Sequence, residues 1–75
     1  MLVKRSFSLS GHRTSVALEA DFWDVLERMA AERGQTLGAL VASIDASRQP
    51  GDPLASRLRL AALQTALTLQ QDRCA

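Results

Sequence analysis

Hydrophobic and polar residues alternate from His12 to Leu18: Val16 and Leu18 fall on one side, Arg13, Ser15 and Ala17 on the other. A period of two marks a β-strand, because successive side chains point to opposite faces. Downstream the period lengthens. Phe22, Leu26, Met29 and Ala30 recur at i, i+4, i+7 and i+8, flanked by Trp23 and Val25, and predict a helix from about Ala20 to Arg33. Gly34 ends it as a left-handed cap. Behind Thr36, a good N-cap residue, Leu37, Leu40, Val41 and Ile44 repeat at i, i+3, i+4 and i+7 and predict a second helix to about Ser47. Gly38 in its first turn lowers helix propensity and leaves room for another backbone. After the break Gln49-Pro50-Gly51-Asp52-Pro53, with Asp52 as N-cap and Pro53 at the first helical position, a third helix runs to about Gln71.

The third helix carries two apolar stripes. Leu54, Leu58, Ala61, Ala62, Thr65 and Leu69 form one, and Leu60, Leu63 and Leu67 the other. This arc is wider than a helix of a small monomer exposes. The helix is expected to pack on its own domain and also on a second subunit or another protein, with Leu54, Leu58, Leu60, Leu63 and Leu67 as the partner surface.

Residues 1–11 leave two arrangements open. Val3, Phe7 and Leu9 alternate with Lys4, Ser6, Ser8 and Ser10, but Arg5 breaks the pattern; Ser10-Gly11 is a turn signal. The segment is either a flexible arm or a first strand, Lys4 to Leu9, folded back on residues 12–18 as a hairpin. The choice matters because a strand needs a partner for its backbone N–H and C=O groups. If the only partner is the same strand of a second copy, the chain is an obligate dimer. Its ribbon then exposes Arg13 and Ser15, and the DNA major groove admits two strands. If a hairpin forms in each copy as well, the dimer has a four-stranded sheet, too wide for the groove, and DNA binding would need another surface or would be absent. The chain thus divides into an arm or first strand (1–11), a strand-helix-helix core (12–48), a linker (49–53) and a C-terminal helix with its tail (54–75).

At 75 residues the chain is one small domain, a size often stabilised by oligomerisation. Its single cysteine, Cys74, excludes an intrachain disulfide or a cysteine metal cluster and is expected to be a free thiol. Neither a signal peptide nor a run of about 20 apolar residues is visible, so a soluble, cytoplasmic protein with no membrane partner is expected. Net charge is only +1, but its distribution is uneven. Residues 1–18 hold Lys4, Arg5, His12 and Arg13 with no acid, which suits contact with a polyanion. The acids Glu19, Asp21, Asp24, Glu27 and Glu32 follow, where Asp24 with Arg28 and Arg28 with Glu32 stand at helix spacing for weak support.

No catalytic constellation appears. His12 is the sole histidine, the acids of the first helix spread over a solvated face, and Gly11, Gly34, Gly38 and Gly51 match no phosphate-cradling loop. Trp23 reads as packing. A non-enzymatic protein without cofactor or metal is expected, and the remaining signal is one of binding.

The order strand RTSVAL, helix EADFWDVLERMAAERG and helix GQTLGALVASID, with Gly34 and Thr36 at the turn, resembles the ribbon-helix-helix family of DNA-binding proteins. The resemblance spans residues 12–48. With the added helix at DPLASRLRLAAL, the chain looks like a compact bacterial subgroup of that family. It implies an intertwined homodimer, mainly α with a short N-terminal β-strand. The strands of two chains pair as a ribbon, and Val16, Leu18, Phe22, Leu26, Met29, Leu37, Leu40, Val41 and Ile44 form a shared core. It also implies a transcriptional regulator, such as a repressor, with double-stranded DNA as its partner. By matching positions, Arg13, Ser15 and Ala17 would contact bases. The amides at Thr36, Leu37 and Gly38 would hold a phosphate, and Lys4 and Arg5 would add phosphate attraction. The rival expectation is a protein-interaction module, antitoxin-like or an adaptor, acting through the third helix. A third reading is a dimeric helical domain of unknown role.

Overall fold

The computed structural model describes residues 1–74, with side chains as far as Thr68. Expectations for the Leu69 side chain and the Cys74 thiol lie outside the described side chains. The element order is β1 (Leu2–Leu9), β2 (His12–Glu19), α1 (Ala20–Glu32), α2 (Leu37–Ser47) and α3 (Leu54–Cys74).

Of the two arrangements open for the N-terminus, the chain adopts the hairpin. β1 and β2 form an antiparallel two-stranded sheet in which Leu9 pairs with His12, Phe7 with Thr14, Arg5 with Val16 and Val3 with Leu18. The turn between them has φ 52° at Ser10 and φ 80° at Gly11. Positive φ at both central residues is the signature of the type I′ turn, whose twist matches that of paired strands. β2 therefore finds its backbone partner within its own chain, and the condition that would force pairing with a second copy does not arise.

Helix boundaries follow local chemistry. α1 ends in a Schellman motif: the Gly34 amide donates to the Ala31 carbonyl at 3.1 Å and the Gln35 amide to Ala30 at 2.9 Å. Gly34, at φ 67°, takes the left-handed position this motif needs. Thr36 caps α2, its Oγ1 accepting from the Ala39 amide at 3.1 Å. The start of α3 differs by one residue from expectation. Pro53, not Asp52, is the cap residue, since its carbonyl accepts the first helical bond from Arg57. The Asp52 carboxylate turns back instead to accept from the Gln49 amide at 3.3 Å, while Arg48 reaches the Asp45 carboxylate and the Asp52 carbonyl. Pro50 and Gly51, the latter at φ 92°, form the centre of the turn these contacts close.

A single chain closes its own core. Leu18, Leu26, Leu40, Val41 and Leu58 are all 0% exposed, and Leu9, Val16, Trp23, Met29, Ala30 and Ala62 complete the buried cluster. No buried polar side chain lacks a partner among the described residues. Two expectations shift. The buried line of α1 runs through Trp23, Leu26, Met29 and Ala30, whereas Phe22 is only half-buried. The indole is drawn inward because its Nε1 donates to the Val3 carbonyl at 2.8 Å. Of the two stripes on α3, the one with Leu54 and Leu58 faces the chain's own core, so neither residue belongs to a free surface. Leu60, Leu63 and Leu67 remain 48–50% exposed. The helix pairs expected around Arg28 are absent among the described ion pairs; Glu27 pairs with Arg5 instead.

Replacing Leu58 by Ala removes a fully enclosed side chain and should cost about 2–5 kcal/mol in urea unfolding. Leu63→Ala, on the exposed stripe, should stay within about 0.5 kcal/mol. The contrast checks which stripe of α3 holds the fold.

Candidate nucleic-acid interface

The hairpin has two unlike faces, set by strand alternation. The inner face carries Val3, Arg5, Phe7 and Leu9 opposite His12, Thr14, Val16 and Leu18. Leu9, Val16 and Leu18 are buried there. The outer face pairs Leu2 with Glu19, Lys4 with Ala17, Ser6 with Ser15 and Ser8 with Arg13. Lys4, Ser6, Ser8, Arg13 and Ser15 are all exposed. The Ser6 and Ser15 hydroxyls meet at 3.1 Å across the strands. The result is a polar strip, two strands wide, lifted off an apolar underside.

Charge on this strip is positive. Among the described residues, neither Lys4 nor Arg13 makes an ion pair. The one acid of the outer face, Glu19, is held by Arg59 of α3 at 3.1 Å. Its carboxyl pKa is lowered, chiefly by a hydrogen bond from its own backbone amide; partial desolvation opposes this, and the hydrogen bond and charge of Arg59 add to the lowering. The charge of Glu19 is thus balanced at the end of the ribbon away from the turn.

Arg5 is displaced from the role expected for it. It points to the inner face, pairs with Glu27 and lies over the Trp23 ring, 5.2 Å from its centroid. Phe7 packs on the same indole, with ring centroids 5.8 Å apart. Arg5 therefore stands on the opposite face from Lys4 and Arg13 and ties β1 to α1. The pattern signalled this: the one charged residue that breaks the alternation of β1 is the one engaged beneath it. Ser6 and Ser8, which no expectation singled out as contacts, share the outer face with Arg13 and Ser15.

The start of α2 presents a second set of donors. Thr36 Oγ1 satisfies Ala39, leaving the Leu37 and Gly38 amides at the helix N-terminus, where the dipole favours an anion. A Cβ built on Gly38 would meet only Thr36 Oγ1, at 4.0 Å. The room expected there is present, and no other backbone of the chain fills it. His12 is exposed beside the turn, and no group of three or more metal-ligating side chains exists among the described residues. Among the described residues, no helix is long and apolar enough to cross a membrane.

A family model of the ribbon-helix-helix domain matches residues 2–66. The chain belongs to that family, and the match takes in the whole hairpin and much of α3 as well as the helical pair. No curated protein and no solved structure matches the chain. Ribbon-helix-helix domains are in general non-enzymatic DNA-binding regulators that work as dimers.

The Glu19 contact gives a pH test. A carboxyl held below its ordinary pKa stabilises the fold above the unfolded-state value, and that contribution fades as pH falls through the folded-state value. In an NMR titration, Glu19 should therefore lose its proton at lower pH than an unperturbed glutamate. Arg59→Ala should move the midpoint upward without abolishing the whole shift, since the backbone amide remains.

Proposed function

We propose that the protein is a DNA-binding transcriptional regulator that lays the outer face of its β-ribbon in the major groove. The observation that carries this reading is the strip itself: two exposed cations that make no ion pair among the described residues, and three exposed serines, on a surface two strands wide. The major groove is about 12 Å wide and takes a two-stranded ribbon. In this reading Arg13 donates to guanine O6 and N7, Ser15 bonds a base or phosphate, and Ala17 offers a methyl contact to thymine. Lys4 attracts the phosphate backbone. The Leu37 and Gly38 amides, with the Thr36 hydroxyl, hold a phosphate and set the register. A homodimer is part of the proposal. Its contacts draw on Phe22, Leu37 and Ile44, which are half-buried at the margin of the core.

One observation favours a second reading. Leu60, Leu63 and Leu67 stand at i, i+3 and i+7 on the exposed side of α3 and would suit a partner protein, as in an antitoxin or adaptor.

Titration of random-sequence duplex DNA across a salt series, with wild type and Arg13→Ala, tests the first reading. Wild type should bind with a steep salt dependence. Arg13→Ala should lose about tenfold or more in affinity for a selected sequence, in line with one bidentate base contact. Its circular dichroism should be unchanged, because Arg13 lies outside the core. Equal binding by the two proteins would reject the ribbon as the reading surface.

A further inference from the structure

We infer that the thioether of Met29 is an oxidation site set into the seam between α1 and α3. A peroxide entering from solvent adds one oxygen to the sulfur, and the sulfoxide so formed loosens the hold of α3 on α1. This goes beyond the DNA-binding reading and does not depend on it.

The first observation is where the sulfur lies. Met29 belongs to the buried cluster at 9% exposure, near the end of α1. Its Sδ accepts a hydrogen bond from the Thr65 hydroxyl of α3 at 3.3 Å. The same two residues line an open cleft of about 390 Å³ between the helices. Among the described residues, Glu32 and Arg33 of α1 and Gln64 and Thr68 of α3 also form its walls. One water molecule takes up about 30 Å³ of liquid, so molecules of the size of water and hydrogen peroxide fit. Met29 is thus packed on the core at one side and borders a solvent-filled cleft at the other.

The second is how the sulfur is held. A thioether sulfur has two lone pairs, and the Thr65 hydroxyl engages one of them. The free pair attacks one oxygen of hydrogen peroxide. The S–O bond forms as the O–O bond breaks; sulfur loses two electrons and the peroxide gains them. The departing hydroxide takes the proton left on the transferred oxygen and leaves as water. Because Thr65 covers one lone pair, oxygen enters from one side and a single sulfoxide epimer results.

The third is what surrounds the product. A sulfoxide oxygen is a hydrogen-bond acceptor, and burying it without a donor would be costly. Arg33, Gln64 and Thr68 bring donors to the cleft walls, and water enters the same space. The oxidised side chain therefore has partners, and the fold survives the change. The seam does not stay as it was. Leu58 and Ala62, at 0% and 1% exposure, seat α3 on the same core cluster that contains Met29. Turning a flexible apolar side chain into a polar one at such a contact disrupts its packing.

Treatment of the folded full chain with hydrogen peroxide tests this. Trypsin then separates Met1, on a peptide ending at Lys4, from Met29, on a peptide ending at Arg33. Met1 is fully exposed and serves as the reference. Oxidation of Met29 through the cleft should lag Met1 by less than about a hundredfold, whereas access only by global unfolding would impose a lag of about 10³ or more, the size of the folding equilibrium constant. The two methionine sulfoxide reductases, each acting on one epimer, should read the Met29 product in the digest as one epimer and the Met1 product as both. Thr65→Val should oxidise faster at Met29 and give both epimers, while Thr65→Ser should keep the single one. Peroxide should lower the melting temperature of wild type and leave that of Met29→Leu unchanged. A lag at Met29 of about 10³ or more, both epimers at Met29 in wild type, or an equal response of wild type and Met29→Leu would each overturn the inference.

Discussion

The indole of Trp23 is the joint on which the arrangement depends. It is almost wholly buried at the start of α1, yet among the described residues its polar and aromatic contacts reach β1: the Val3 carbonyl, the Arg5 guanidinium and the Phe7 ring. A two-stranded hairpin alone is marginal in water. Here the inner face of β1 is pinned to a helix, so the strand keeps its register on β2 and the outward residues keep their alternation. Burying the ring also gives its N–H a hydrogen-bond acceptor, which a buried indole requires. The polar strip above is ordered because the layer below it is fixed.

The helical half of the molecule was legible in its sequence because its signals are local. Gly34 in the left-handed position, Thr36 at the N-cap and Pro50-Gly51 in the turn each act over a few residues, and each appears where its chemistry places it. The hairpin was less legible. Ser10-Gly11 announced a turn, but Arg5 interrupted the alternation, and a charged residue on an inner face makes sense only when its partners are known. Those partners, Trp23 and Glu27, lie far along the chain. The same holds for Phe22 and Trp23: adjacent large apolar residues both fit an inward arc, and a hydrogen bond to a distant carbonyl decides between them. On α3 either leucine stripe could face inward, and only the tertiary position of the helix separates Leu58 from Leu60.

The candidate site was partly legible for a related reason. Arg13 and Ser15 follow from alternation on β2 alone. Their neighbours Ser6 and Ser8 depend on the pairing of β1, so a reading that left residues 1–11 open could not add them. Proximity in sequence groups Arg5 with Lys4, but one residue along a strand is a change of face. Glu19 belongs to three things at once, the end of β2, the residue before α1 and the partner of Arg59, and its altered acidity reflects the meeting of those elements.

The connections between elements are short: two residues join β1 to β2, and β2 runs into α1 without an intervening residue. Each element therefore meets a partner close to it in the chain, and little loop-closure entropy is lost before a contact forms. Domains built this way fold quickly, since their search is mostly local. The contacts of β1 with α1 and of α3 with the inner layer are the ones that join residues far apart in sequence and close the longer loops. In synthesis from the N-terminus, β1, β2 and α1 are made before α3, so the surface that α3 covers stays uncovered until α3 arrives.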